Sequence, residues 1–311
     1  MRNAHLRLFA ALLVVAVASA FPAAQQKPLF SFHSNAWLNL HHFIRSVARG
    51  GPAPADLSEQ ERAQWTAGVE FYKPYVPRDL LFDQGMVEIK YALRGAEGKA
   101  SLDGVKIDPA LRATLERVMP IYQKHWWPEH DRGNREWIAA VQPLVDRHGA
   151  PISQALTRVY GVTWPSAPIP VDVSVTAGPV GAYGTDSPPH VMVASRDASP
   201  RGYLALEILF HEGTHGIAPL FQAVRQAATE QKMTVPPQLW HAVLFYTAGE
   251  LTMRELKARG IDYTPFADEK FYSGMCGAGC GGKIAEHWTP HLDGKRSTAD
   301  ALSALVASFK Q

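Results

Sequence analysis

Cysteine is nearly absent, with two in 311 residues, which excludes a disulfide scaffold. An excess of one charge is also missing. Lys and Arg number 31 against 29 Asp and Glu, a formal charge of +2, and no basic run gives the footprint of a nucleic-acid binder. Past the N-terminus, no uncharged apolar stretch approaches the roughly 20 residues that span a bilayer. There is no internal repeat, low-complexity tract or clear linker. There is no G-x-S-x-G and no linked Ser/His/Asp arrangement, so a serine-hydrolase reading has no support. What is present is ordinary globular composition, 46 % hydrophobic and 19 % charged, in a chain long enough for one large domain or two small ones. Function has to come from motifs.

Residues 1–24 read as a secretory signal peptide. Arg2 and Arg7 form a basic start, Leu8 to Ala18 an uncharged apolar run, and Ala18-Ser19-Ala20 a small-x-small site, with cleavage expected near Ala20 or Ala24. No Cys follows the run, which argues against a lipid anchor. Removing residues 1–20 takes the formal charge from +2 to zero, because Arg2 and Arg7 leave and no acid does. The expected protein is exported, periplasmic or secreted, with no integral membrane segment after signal removal.

The mature chain reads as α+β and mostly helical. Residues 25–165 form a helical N-terminal region and 166–311 a second region, as two units or one compact domain. Phe32 to Val47 has helical spacing, with Trp37, Leu40, His41 and Ile44 on one side. Gly50, Gly51, Pro52, Pro54, Pro74 and Pro77 mark a looser stretch. Asp108-Pro109 caps a helix to about 126, with Pro120 as a possible kink. Pro128 separates it from a helix ended by Gly149, and a short helix fits 151–160. Period-2 alternation from Pro170 to Ala177, and again at 190–194, predicts two neighbouring strands joined by a Gly/Pro-rich link. Ser199-Pro200 supplies an N-cap and first-turn pair for the next helix. Helices follow near 217–231 and 237–259, then a Gly-rich loop at 274–282 and a last helix from about Thr298.

Residues 211–215 are His-Glu-Gly-Thr-His. On a helix, His211 and His215 are four apart and project from one face. Two neutral imidazoles at that spacing can reach one ion, and Glu212 beside them can act as general base on metal-activated water and return the proton to a leaving amine. The flanking residues Ile208 to Phe210 and Gly216-Ile217 are uncharged. The bland alternative is a pair of satisfied core histidines.

This motif, with the strand pair ahead of it, resembles the zincin metallopeptidases. The resemblance implies one Zn2+ on His211 and His215, Glu212 as the catalytic base, and an extended substrate held by a strand edge, here 170–177 or 190–195. The metzincin branch does not fit, since Ala218 and Phe221 stand where its Gly and third His belong. The gluzincin branch takes its third ligand as a Glu from a later helix. Glu250 is the only Asp, Glu, Lys or Arg between Leu239 and Met253, and a lone carboxylate in an apolar helix needs an ion or a partner. Its alternative partner is Arg254 at i+4. Glu207, one turn before His211, is either a group orienting a ligand or an exposed polar residue. Tyr246, Tyr183 and His241 are candidates for the transition-state donor. His241 lies nine residues before Glu250, about half a turn away in helical phase, which makes the two poor co-ligands.

Three further clusters carry less. Gly277 to Gly282 matches G-x-G-x-x-G, but Ile284 replaces the Ser/Thr of a phosphate loop and no strand precedes it. Cys276 and Cys280 frame that loop and, in an oxidising compartment, favour a small disulfide over a thiolate metal site. Asn35, Asn39, His41 and His42 are polar positions in an apolar helix, read either as capping and packing or as a lining of the cleft. His125-Trp126-Trp127-Pro128 reads as an aromatic anchor at a helix corner. The combined expectation is an exported zinc-dependent peptidase of gluzincin type acting on a peptide or protein. The rivals are a zinc hydrolase of non-peptide substrates and a non-catalytic binding protein on the same scaffold.

Overall fold

Four short strands tie together parts of the chain far apart in sequence. The computed structural model describes residues 27–51, 56–178, 181–186, 188–196 and 199–310, so the signal-like segment 1–24 lies outside the described residues. Strands β1 (Phe30–His33), β2 (Ile169–Ser174), β3 (Ala182–Asp186) and β4 (Pro189–Ala194) form one sheet in the order β1-β2-β4-β3. β1 and β4 run parallel to β2, and β3 runs antiparallel to β4 as an edge. β1 pairs Phe30 with Ile169, so the sheet joins the stretches 25–165 and 166–311.

Eleven α-helices surround the sheet among the described residues: α1 (Ala36–Ala48), α2 (Glu59–Tyr72), α3 (Gln84–Arg94), α4 (Pro109–His125), α5 (Trp127–Tyr160), α6 (Gly202–His215), α7 (Leu220–Glu230), α8 (Leu239–Ala258), α9 (Glu269–Cys276), α10 (Cys280–Leu292) and α11 (Thr298–Ala307). The protein is thus α+β and mostly helical. None of its described helices is long and apolar enough to cross a membrane.

Strand alternation sends side chains into two cores. Val171, Val173, Val191 and Val193 enter a core shared with α5, α6 and α8. Tyr183, Met192 and Ala194 enter the other, with residues of α1, α2, α3 and α4. The second face is also polar. Asn39 donates to Val173 O at 3.0 Å, His41 Nδ1 lies 3.0 Å from Tyr72 Oη, and His42 Nε2 lies 3.2 Å from Tyr183 Oη. Asn35 caps α1. These four residues therefore cap and pack, on the face of the sheet away from α6.

Several local expectations change. Phe32 and His33 end strand β1 rather than beginning the helix, because pairing with β2 outweighs helical spacing. The looser stretch holds α2, opened by a capping box between Ser58 and Glu61. α5 runs unbroken through Gly149 and Pro151. Gly149 serves close packing, since a Cβ there would lie 2.9 Å from Leu29 Cδ1. The helix ends instead at Gly161, in the left-handed conformation. The Gly/Pro-rich link contains β3. α6 starts at Gly202 rather than at Ser199-Pro200, and Pro200 O accepts the Trp137 indole N–H at 2.8 Å. The Gly-rich loop narrows to 277–279 between α9 and α10, where Cys276 and Cys280 form a disulfide with Cα atoms 5.8 Å apart. Trp126 does mark the α4–α5 corner, 4.5 Å from the Trp65 ring.

Candidate metal centre

α6 is buried from Ala205 to Thr214, an apolar helix pressed between α5, α8 and the sheet. Its C-terminal turn carries the motif. Thr214 turns its hydroxyl back to Phe210 O and His211 O, at 2.9 and 2.8 Å, so it does not compete with the imidazoles of His211 and His215 for a shared partner. Gly216 ends the helix against the β3–β4 turn, and a Cβ there would lie 3.0 Å from Pro189 Cγ.

The third member comes from α8. His241 stands in the first turn of that helix, and its Nε2 lies 3.1 Å from His211 Nε2. His215 Nε2 lies 3.2 Å from His211 Nε2. The possible ligand atoms of the three all fall within 4.8 Å of one another, the one such group among the described residues. Nitrogens bound to one tetrahedral zinc at about 2.0–2.1 Å stand about 3.3 Å apart, so the two short separations suit a shared ion. Burial, together with its two histidine neighbours, holds His211 well below the ordinary imidazole range. Burial likewise lowers His215 to about 3 and His241 to about 4. All three are neutral near pH 7, the form that ligates a metal. The three imidazoles could hold one metal ion.

Glu212 lies beside this group, its Oε2 3.9 Å from His215 Nε2. Burial raises its carboxyl to about 8, and a hydrogen bond from the Gly184 backbone N–H pulls the other way. Gly184 sits on the edge strand β3, and a Cβ there would come within 2.5 Å of Glu212 O and 3.2 Å of Glu212 Oε2. Only glycine lets the strand approach the helix this closely. Aromatic rings enclose the imidazoles. Phe245 stacks on His211 with centroids 3.5 Å apart, and Trp240 stacks on His241 at 5.1 Å.

The other anticipated site residues lie elsewhere. Glu250 accepts from Arg254 Nε at 2.8 Å, and Arg254 also donates to Asp293 at 2.8 Å. Glu250 is thus an ion-paired residue on the side of α8 away from His241, outside the group that the three histidines form. Tyr246 hydrogen-bonds Thr289 at 2.7 Å, and Tyr183 faces His42 across the other side of the sheet, so the hydrogen bonds of both hydroxyls go to residues outside the histidine group. Glu207 makes its hydrogen bonds to Tyr263 and Phe266 rather than to a histidine. Neither anticipated substrate strand is an edge. β2 and β4 are interior, and β1 and β3 are the edges.

Helical phase already separated His241 from Glu250; which of them meets α6 depends on how α8 packs. Gly184 carried no local signal beyond its place in a glycine-rich link. A scan against family models, a search of curated proteins and a search of solved structures each find no match.

Proposed function

We propose that the protein is an exported zinc-dependent metallopeptidase that resembles the zincins, with zinc on His211, His215 and His241 and Glu212 as general base. The observation that carries this reading is the convergence of three neutral imidazoles, drawn from two helices, beside a buried glutamate. His211, His215 and His241 would hold the zinc, which would supply a water of pKa about 7 and Lewis-acid polarisation of a carbonyl. The charge of an ion held there would draw the Glu212 carboxyl down from the value of about 8 that burial alone gives it, and as a carboxylate Glu212 would take the proton from the attacking water and return it to the leaving amine. Gly184 packs directly against that residue.

Two observations favour a peptide over another acyl substrate. β3 is the outermost strand of the sheet, and its Gly184 touches the proposed general base, so an extended chain laid beside the turn-end of β3, where Asp186 is exposed, would come close to the metal site. A non-catalytic binding protein has no need of Glu212. The Cys276–Cys280 disulfide supports an oxidising compartment.

The test is metal analysis and peptide hydrolysis on the purified protein. The wild type should hold close to one zinc per chain and cleave unfolded protein in a chelator-sensitive way. Glu212→Gln should keep zinc and lose turnover. A wild type that binds no zinc when supplied with it would sink the proposal.

A further inference from the structure

Glu207 is fully buried on α6, and its side chain reaches into the connection after α8. It accepts from Tyr263 Oη at 2.6 Å and from Phe266 N at 3.2 Å. Gly249 on α8 makes room for this, since a Cβ there would lie 2.9 Å from Pro265 Cβ and 3.2 Å from Glu207 Oε1. A buried carboxylate is a costly anchor compared with an apolar residue of the same size. Here it holds the backbone of Phe266.

Phe266 is 47 % exposed, and its ring lies 6.1 Å from Phe245, the residue stacked on His211. On the opposite flank Phe221 is 42 % exposed and lies 5.6 Å from Trp240, which touches both His215 and His241. The large exposed hydrophobic residues described in the chain are only Leu81, Phe82, Phe221 and Phe266. Two of those four bracket the imidazoles. The stretch of α8 between the flanks, Leu239 to Gly249, has no Asp, Glu, Lys or Arg. Arg225 lies over the Phe221 ring, its Cζ 5.4 Å from the centroid, but the exposed aromatic rings themselves are suited to desolvating an apolar side chain.

Resting on the peptidase reading, we propose that the site selects peptides with an aromatic or large aliphatic side chain next to the scissile bond, seated against Phe266 or against Phe221 and Trp240, and that Glu207 is the positioning residue for Phe266. Its side chain touches neither the imidazoles nor Glu212 through any described hydrogen bond. Its effect should therefore fall on selectivity before it falls on metal binding.

The experiment uses the full zinc-loaded chain and two blocked pentapeptides, acetyl-Ala-Ala-Phe-Ala-Ala-amide and the same peptide with Gly in place of Phe. The wild type should favour the Phe peptide in kcat/KM by about 10-fold or more, the range expected for one apolar side chain in a pocket. Phe266→Ala should cut that ratio at least threefold with zinc content unchanged, and Phe266→Tyr should restore it. Glu207→Leu should lower the ratio in the same way. If that variant does not fold, Tyr263→Phe, which removes one of the anchoring bonds, should lower it by a smaller factor. Calorimetric binding of both peptides to zinc-loaded Glu212→Gln reads selectivity without turnover. A wild type that cleaves neither peptide, while Glu212→Gln binds the Phe peptide more tightly, overturns the peptidase reading and keeps the selectivity. Equal cleavage and equal binding of the two peptides, or a ratio unmoved by Phe266→Ala, overturns this proposal.

Discussion

His241 and Glu250 share α8 and face opposite ways: His241 Nε2 lies 3.1 Å from His211 Nε2, whereas Glu250 is held by Arg254 at 2.8 Å. Nine residues turn a helix through about 900°, which leaves the two about half a turn apart. One side of α8 therefore meets α6 and the other meets the Arg254–Asp293 pair.

This orientation predicts opposite outcomes for two alanine variants. Excess zinc at about 100 times its Kd should stabilise the wild type by about 2.7 kcal/mol, seen as a raised Tm that a chelator reverses. Glu250→Ala should keep that shift and cost at most about 1 kcal/mol, because its ion pair is partly exposed. His241→Ala should lose the shift. A zinc-dependent Tm that survives His241→Ala but not Glu250→Ala would reverse the assignment.

Gly184→Ala should damage activity more than stability. The added methyl would press on Glu212 O and Oε2, and overpacking of this kind costs about 1–3 kcal/mol. Displacing a general base costs about 100-fold in kcat/KM. Zinc content, read in parallel, should be unchanged. An alanine variant with wild-type turnover would show that β3 does not set the position of Glu212.

Lys90 gives the fold a distinct response to pH. It is buried on α3, donates to Thr185 Oγ1 at 2.5 Å, and burial lowers it to about 7 from 10.5. Between those values the unfolded chain binds the proton and the folded one does not, so stability rises as pH increases from about 7 towards 10.5. The Lys90 contribution is greatest above 10.5 and lost as pH falls through 7. Denaturant melts from pH 8.5 to 9.5, above the value of about 8 to which burial raises Glu212, should show this slope in the wild type and a flatter one in Lys90→Met. Identical slopes would contradict it.

Reducing the Cys276–Cys280 bridge should have a small effect. The cysteines are four residues apart, and a loop that short is worth about 2 kcal/mol in the chain-entropy model. Urea midpoints of the oxidised and reduced protein, compared at equal slope, measure it. A loss above about 4 kcal/mol would mean that the bridge also holds α9 and α10 in place.

Local chemistry was legible in the residues themselves. The spacing of His211 and His215, the Asp108-Pro109 cap, and the alternation at 170–177 and 190–194 depend on neighbours within a few positions. Each of those elements is present. The α+β, mostly helical character followed from the same signals. Other features depend on partners far along the chain. β1 is a strand because it pairs with residues of β2 far along the sequence. Gly149 continues a helix because Leu29 packs over it. Gly184 matters because α6 comes to lie against it.

The candidate site divides in the same way. Two imidazoles and a glutamate were determined by the sequence, because one helical period sets their common face. The third imidazole was decided only by tertiary structure. An isolated α8 presents His241 and Glu250 equally, and the packing of α8 on α6 chooses between them. Burial then keeps all three imidazoles neutral and raises Glu212, and that environment exists only once the helices, β3 and the aromatic rings have closed around them.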